Sequence, residues 1–431
     1  MRRTRKPRNP TPPTPLLAPP PAPWLWFLLG LATAGVYLAF YLQPGLLWYA
    51  GVQHYPIWFA DLSALLASGD AVTQGLNPYI PNPLDYFGRP HVYSHWWLEL
   101  RHLGLTRADI SWIGPLVVGL FWLAALRGLR PGSIRQGFYY FLLLTAPPFL
   151  LALDRANNDL VIFLVLALLV PCLRQSSRWV RWLAPVLVAL AAGLKYYPAA
   201  AGLVLLAPSE PAERRSSLLL GLVLLAATAL SVAPDLALFG PLAPHPTGWM
   251  SFGAASGLTA LGWTGLAPTL LTLAGGGVIF AWAWRSPRLE GWTPAADQAD
   301  AWLHFVLGAV LLTGCFFTSA NFAYRWVFAV WLAPFLWRLA ADTAAPAPAR
   351  RLAALTRVLL LAVLWLDTLY TWTIIACRDH ATPETLRLGV KWSFLAEQPL
   401  TWAFFGCLLV FLARFTRDGL RGLLGRAPTA A

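Results

Sequence analysis

At 431 residues, 58% hydrophobic and only 12% charged, the chain is too apolar for a water-soluble globular protein, in which about a quarter of residues carry charge. Its formal net charge of +13 is gathered in short Arg/Lys tracts that flank apolar runs, as the positive-inside rule requires, so membrane lipids and not nucleic acid are the expected partner. Twenty-three Trp, 23 Phe and 13 Tyr suit a protein with two membrane–water interfaces, where amphipathic rings settle at headgroup level.

In chain order, residues 1–23 read as a disordered cytoplasmic tail: Arg2, Arg3, Arg5, Lys6 and Arg8 precede nine prolines between Pro7 and Pro23, a density that keeps a chain extended. Trp24–Leu42 is an apolar run long enough to span and lacks a small-residue cleavage site after it, so it reads as an uncleaved signal anchor. Further apolar runs fall near 112–127, 137–153, 160–173, 182–194, 196–207, 218–238, 256–284, 301–319, 326–339, 358–376 and 399–415. Several are shorter than the roughly 20 residues that cross comfortably. The expected architecture is an all-α polytopic membrane protein, a bundle of about 12 (10–13) transmembrane helices over residues 24–415, closed by a cytoplasmic tail at 416–431. With both termini inside, most Lys and Arg fall on the cytoplasmic side. The stretch 182–206 crosses once, or twice as short limbs meeting at Lys195-Tyr196-Tyr197-Pro198, because proline disfavours helix at the residue before it.

That topology places one large extracytoplasmic loop at 43–111 and smaller ones near 154–159, 239–255, 320–325 and 377–398. Most of the unusual polar residues converge on this outer face, and charged groups close to a bilayer are costly and mark functional sites. Pro56 to Ser68 reads as an amphipathic helix along the interface: Trp58, Leu62, Leu65 and Leu66 form a stripe and Asp61 sits on its rim. A solvated surface charge is the plain alternative there. Gly75-Leu76-Asn77-Pro78-Tyr79 is a turn sequence that presents Tyr79. His91, His95 and His102 lack a convincing metal geometry, and an interfacial aromatic belt explains their surroundings. Asp154-Arg155-Ala156-Asn157-Asn158-Asp159 is a compact dipolar loop, with a local Asp–Arg ion pair as the simpler reading. Lys195 and Arg325 are the outward-side cations closest to apolar core, and with Arg155 they suit charge developing on a departing phosphate; singly, each is explained by snorkelling. Asp367, within the 358–376 run, is an intramembrane carboxylate. His245 and the 377–398 loop, with Thr382-Pro383-Glu384 as a helix start, are weaker candidates.

Cys172, Cys315, Cys377 and Cys407 are scattered without a C-x-x-C, which supports neither a zinc site nor a disulfide framework. There is no P-loop, no G-x-G-x-x-G, no G-x-S-x-G and no H-E-x-x-H. No Asp-x-Asp pair exists to hold a divalent metal with a nucleotide sugar. No cofactor is expected.

The order of these features resembles the GT-C-type membrane glycosyltransferases, and among them glycosyltransferase family 87, the polyprenyl-phosphate-mannose-dependent alpha-mannosyltransferases. The residues that carry the resemblance are Asp61 early in the first external loop, Gly75 to Tyr79, the Asn-rich loop at 154–159, Lys195 to Pro198, and Tyr324-Arg325, over roughly residues 24–340. The resemblance implies a GT-C-like fold in a cell (plasma or inner) membrane with its site facing outward. It implies a polyprenyl-phosphate sugar donor, a lipid or glycan acceptor, and Asp61 as the catalytic base. Lys195, Arg325 and Arg155 would then meet the donor phosphate. Asn77, Tyr79, Asp154, Asn157, Asn158, Asp159, Tyr196 and Tyr324 would line the sugar and acceptor pocket. A GT-C-like ligase or polymerase with a diphosphate-linked donor, and a multi-pass transporter or lipid flippase, are the competing readings.

Overall fold

The computed structural model describes residues 22–207, 210–240, 242–243, 246, 251–289, 292–318, 321–377 and 382–425; the basic tail at 1–21 and His245 lie outside them. The described residues are mostly helical. Among the described residues seven helices are long and apolar enough to cross a membrane: Pro23–Leu42, Arg107–Gly128, Pro211–Phe239, Ala267–Arg285, Ala296–Thr318, Ala347–Cys377 and Lys391–Leu423. An eighth crossing is added if Ile134–Leu144 and Pro147–Asp154, bent by 51°, act as one broken span. The remaining apolar runs that suggest about twelve crossings form shorter pieces, among them Asp159–Leu173 and Tyr197–Leu206.

The breaks have local causes. Pro147 and Pro148 open the second half of the bent pair after an extended Ala146, and proline is at home only in the first turn of a helix. The 256–284 run divides into Ala254–Ala260 and Ala267–Arg285 because Gly262 and Gly265 turn the chain through positive φ. Residues 182–206 are two limbs. An α-helix over Leu183–Leu194 stops at an extended Lys195, and Tyr197–Leu206 continues as a 3₁₀ helix. The expected loop at 377–398 is mostly helix, since Pro383–Leu423 begins at Pro383 with the Thr382 side chain capping Thr385 N–H.

The helix of Ala296–Thr318 is the axis of the bundle: 72% of its most apolar window is enclosed, against 17% for Pro23–Leu42. Gly308 lets it approach the 323–331 segment so closely that a Cβ there would lie 2.7 Å from the Phe328 carbonyl oxygen. Two short strands, Ser251–Phe252 and Asn321–Phe322, pair antiparallel with Ser251 opposite Phe322 and Phe252 opposite Asn321. They tie the region after the Pro211–Phe239 helix to the segment that carries Tyr324 and Arg325.

The expected interfacial helix is corrected in both extent and setting. It runs from Ala60 to Thr73, with Phe59 at its start in the left-handed region (φ 59°), and it is buried on both faces. Leu62, Leu65 and Leu66 pack with Trp97, Ile113 and Ala156. The opposite side is covered by the rest of the first loop, where Asn82 Nδ2 donates to the Ala67 carbonyl (3.1 Å). Asp61 is therefore buried, at 7% exposure, and not on a solvated rim.

Candidate functional site

Phe59 is where the backbone places Asp61. A non-glycine residue at positive φ costs about 1–3 kcal/mol and survives only where the surroundings fix it. Here Phe59 N–H donates to the Asp154 carbonyl (2.7 Å), and Asp61 N–H to the Arg155 carbonyl (3.1 Å). The Phe59 ring lies on Gly114, where any Cβ would overlap it. Ala156, at φ 41°, turns the partner loop so that these carbonyls face the start of the helix. The 154–159 loop thus docks through its main chain onto the first turn of the Ala60–Thr73 helix.

Both carboxylate oxygens of Asp61 are held. Arg89 Nη1 donates to Oδ1 (3.2 Å) and Asn157 Nδ2 to Oδ2 (2.7 Å). A carboxylate has about four acceptor positions, so two remain for a further donor. Arg89 is itself fixed: Nη2 and Nε reach Asp85 Oδ1 and Oδ2 (3.0 and 3.1 Å), and Nη2 also donates to the Ala60 carbonyl (2.6 Å). Burial works against its charge, but the Asp85 hydrogen bond and the Asp61 and Asp85 charges outweigh it and raise its pKa.

The 154–159 loop brings its remaining side chains into the same volume. Asn157 Oδ1 takes the Asp159 N–H (3.0 Å). Lys195 Nζ donates to Asn158 Oδ1 (2.6 Å) and Asp159 Oδ1 (2.5 Å), with Asn157 Oδ1 at 3.5 Å. Tyr197 OH donates to the same Asp159 oxygen (2.7 Å). The rings of Tyr324, Tyr93 and Tyr197 stand 5.2, 5.8 and 5.9 Å from Nζ. The expectation that Lys195 faces a free anion therefore meets a different arrangement: its charge is matched by Asp159 and its donors are occupied. Asp154 is paired too, with His54 Nδ1 2.5 Å from Oδ1.

Two cations of this group retain unused donors. Arg155, 4% exposed, stacks 4.3 Å over Tyr55 and 5.8 Å from Phe322, and its Nε has no hydrogen-bond partner. The simpler expectation of an ion pair between Arg155 and its neighbouring aspartates is not what the loop forms. Arg325 lies 4.6 Å over Tyr197, donates from Nη1 to Asn321 Oδ1 and approaches Cys315 Sγ (3.5 Å), while its Nε is unpartnered. Tyr324 stacks on Phe322 (5.4 Å). Asp61, Asp154, Arg155, Asn157, Asn158, Asp159, Lys195, Tyr324 and Arg325 are thus brought into one polar nest inside an apolar bundle.

Three expected residues fall elsewhere. Asn77 is exposed and closes an Asx turn, its Oδ1 accepting from Tyr79 N–H (2.9 Å). Tyr79 and Tyr196 belong to a second group around Asp235 and two histidines. Tyr79 meets His91 edge-on (5.7 Å), and Tyr196 stacks on Phe239 (5.8 Å) with a buried, unpartnered hydroxyl. His95 gives its backbone N–H to Asp235 Oδ2 (2.9 Å) and sets Nδ1 2.8 Å from the same oxygen. The Asp367 side chain is outside the described residues. Among the described residues no three His, Cys, Asp or Glu side chains converge as metal ligands.

No protein family and no curated protein matches the chain. Among solved structures it is similar to the crystal structure of ArnT from Cupriavidus metallidurans in the apo state, at 15% sequence identity over 90% of this chain and 78% of that one, with a TM-score of 0.35.

Sequence reasoning misses Arg89, Asp85, His54 and Asp235. Arg89 and Asp85 lie in irregular chain, where no periodicity marks a buried face. The partners His54–Asp154 and His95–Asp235 are 100 and 140 residues apart. Asp235 alone leaves a trace: a carboxylate next to Pro234 in an otherwise apolar run, which by the cost of charge within a span calls for a partner.

Proposed function

We propose that this chain is a membrane glycosyltransferase of the GT-C type, transferring a hexose from a polyprenyl-phosphate donor to a hydroxyl of a lipid or glycan acceptor on the extracytoplasmic side. The resemblance to family 87 favours mannose. The observation that carries the proposal is the setting of Asp61: a buried carboxylate in the first turn of a helix, oriented by Arg89 and Asn157, with acceptor capacity left and the buried Arg155 and half-buried Arg325 in the same nest. Arg89 and Asn157 hold the carboxylate in one orientation, as a general base within reach of an acceptor hydroxyl requires.

In the proposed reaction an acceptor hydroxyl gives its proton to Asp61. Its oxygen attacks the anomeric carbon from the face opposite the phosphate, and the bond from that carbon to the phosphate oxygen breaks, so the configuration inverts. The bonding pair leaves with the polyprenyl phosphate. Arg155 and Arg325 meet the charge that develops there. Lys195, its charge matched by Asp159, holds the Asn157–Asn158 loop against Asp61. A leaving phosphomonoester carries less charge than a nucleotide diphosphate, so protein cations suffice and no metal is required.

An apolar groove of about 450 Å³ runs between the Ala254–Ala260, Ala267–Arg285 and Pro383–Leu423 helices, walled by Leu258, Leu261, Leu271, Leu395 and Trp402. Gln398 lines both this groove and a small cavity at Ser251–Gly253, beside the strand pair that continues into Tyr324 and Arg325. The proposal seats the prenyl chain in this groove.

The test uses the full chain in lipid vesicles with radiolabelled polyprenyl-phosphate mannose and a lipid-acceptor extract, comparing wild type with Asp61→Asn. The expected outcome is label in a new product from wild type, unaffected by EDTA, and a loss of about 10²–10⁴-fold in the variant at unchanged helicity and Tm. Full activity in Asp61→Asn would overturn the base assignment. Transfer only from a diphosphate-linked donor would favour the ligase class, and movement of labelled lipid without a covalent product would favour a transporter.

A further inference from the structure

Residues 82–89 form a stretch of irregular chain built around one buried carboxylate. Asp85 Oδ2 accepts the Phe87 N–H (3.0 Å) and the Arg89 N–H (2.9 Å), besides the guanidinium contacts that fix Arg89. Gly88, at φ 66°, closes the turn: its N–H donates to the Asp85 carbonyl (3.0 Å), and its own carbonyl accepts from Asn82 N–H (3.2 Å). Asn82 in turn anchors the loop to the Ala60–Thr73 helix through the Ala67 carbonyl. The backbone is thus held at several points, yet the loop turns two rings outward. Tyr86 is 58% and Phe87 39% exposed, and neither ring takes part in the hydrogen bonds that hold the loop.

From these two the rings continue inward. Tyr86 meets Phe87 edge-on (4.9 Å), and Phe87 lies against the half-buried Tyr55 (4.8 Å). Tyr55 carries the Arg155 guanidinium at 4.3 Å, and Phe87 carries that of Arg89 at 5.1 Å. Arg89 is the donor to Asp61 Oδ1. The ladder of rings therefore runs from water to the carboxylate on one side and to Arg155 on the other. Exposure follows the same direction. Asn157, Arg155 and Tyr324 are buried, whereas the Arg89 side chain is 30% exposed. Asp61 thus opens toward water on its Arg89 side, where the ladder stands.

We infer that Tyr86, Phe87 and Tyr55 form a binding platform for a neutral saccharide chain, which reaches the site from the aqueous side and is the acceptor, its sugar rings on the exposed aromatic faces and its terminal hydroxyl beside Asp61. A sugar ring has a face of C–H bonds and an edge of hydroxyls. The C–H face suits the negative face of an aromatic ring, and the hydroxyls suit the acceptor positions left on Asp61. An acyl chain would cover the same rings but bring no hydroxyl to the carboxylate. Arg89 is matched by Asp61 and Asp85, so the outer rungs hold no spare charge for an anionic ligand. Rings fixed in advance by a hydrogen-bonded loop also lower the ordering cost of binding. The role of acceptor rests on the glycosyltransferase reading; the platform itself is tested by binding alone.

The test is saturation-transfer NMR of the full chain in lipid nanodiscs with soluble manno-, gluco-, galacto- and arabino-tetrasaccharides. Wild type is compared with Tyr86→Ala, Tyr86→Ala/Phe87→Ala, the ring-preserving Phe87→Tyr, and Trp179→Ala as an exposed aromatic on the short Arg178–Arg181 helix. Wild type binds at least one of the four. The double variant weakens that Kd by about tenfold and Tyr86→Ala by about threefold, while Phe87→Tyr and Trp179→Ala bind as wild type does. The Tyr86 side chain lies mostly in water, so its truncation keeps a folding defect from obscuring the answer. Binding of none of the four sugars by wild type, unchanged binding in the double variant, or an equal loss in Trp179→Ala overturns the inference. Ring-dependent binding without any transfer of label would leave the platform standing and remove the glycosyltransferase reading. Transfer to a lipid acceptor with an unchanged KM in the double variant would do the reverse.

Discussion

Around Phe316, Phe405 and Trp302 the interior consists of rings; around Asn157 it consists of charges. Phe316 and Phe405 stack at 3.9 Å, Trp302 and Phe305 at 5.5 Å, and Phe163 and Trp331 at 4.3 Å. Each such pair adds about 0.5–1.5 kcal/mol beyond its burial, and no single ring is needed to define its neighbour's chemistry. The Asn157 region instead buries Asp61, Asp85, Asp154 and Asp159 against Arg89, His54 and Lys195. Buried pairs of this kind contribute little net stability, because desolvation cancels most of the Coulomb attraction. The difference separates what holds the bundle together from what fixes a geometry at one place in it.

The comparison predicts that equal losses of stability have unequal consequences for activity. Lys195→Met strands the Asp159 carboxylate and destabilises by about 3–5 kcal/mol. Adding Asp159→Asn recovers a large part of that, whereas independent sites would add. Phe405→Ala also costs about 3–5 kcal/mol, by opening a cavity, yet its folded fraction keeps full turnover while that of Lys195→Met does not. Denaturation of the three variants, with turnover normalised to folded protein, checks this. Equal turnover per folded molecule in Phe405→Ala and Lys195→Met would erase the distinction.

Within the charged region a second, smaller contrast follows, between matched and unmatched cations. Arg155→Ala and Arg325→Ala remove the two guanidinium groups with unused donors. Each is expected to lower transfer by about 10²-fold, while losing cation–π contacts and, for Arg325, the hydrogen bond to Asn321, together worth about 1–2 kcal/mol of stability. Steady-state rates beside Tm values separate the two effects. A fall in Tm that accounts for the whole loss of rate would reduce both arginines to structural cations.

The two regions also differ in how far they can be read from sequence. The aromatic bundle is legible because apolarity persists over a span: the runs at 24–42, 112–127, 218–238 and 301–319 lie within, or a residue beyond, helices Pro23–Leu42, Arg107–Gly128, Pro211–Phe239 and Ala296–Thr318. The Lys195 break is legible because Pro198 and the two tyrosines announce it. The setting of Asp61 is not. The stripe of Trp58, Leu62, Leu65 and Leu66 records that one helix face is apolar, but cannot say whether lipid or protein covers it. That protein covers the other face as well is decided by chain 15 to 29 residues later, through Asn82 and Arg89, the latter held by Asp85. Lys195 and Asp159 are visible as unusual residues in sequence; only the structure shows that they neutralise each other.

The loop over Asp61 has its own pH dependence. Burial pushes the His91 imidazole down to about 4, despite a Ser94 carbonyl contact and the nearby Asp235 charge, which favour protonation, and with His95 acting against it. His91 is therefore neutral in the folded protein down to that pH, while the unfolded chain takes up its proton near 6.5. Between those values the unfolded state binds more protons, so stability falls as pH falls, by up to roughly 3 kcal/mol in total. His91→Gln is expected to flatten the Tm-versus-pH curve across this window, and an unchanged slope would show that His91 opens to water without unfolding.

The smallest expected effect tests the edge of the charged region. Asn77 has the residue type and the neighbours of a sugar ligand, but its carboxamide oxygen is engaged by Tyr79 N–H and the side chain is exposed. An Asx turn of this kind contributes about 1 kcal/mol, so Asn77→Ala should lower stability by that much or less and leave transfer unchanged. Asn157→Ala provides the contrast, since it removes the donor to Asp61 Oδ2 and frees the carboxylate to rotate; it should lower transfer steeply and, because it also takes the acceptor from the Asp159 N–H inside the protein, cost about 1–3 kcal/mol of stability. If Asn77→Ala instead reduced transfer at constant Tm, the turn would have to close over the substrate, and the functional region would extend from the buried nest out to the surface of the first loop.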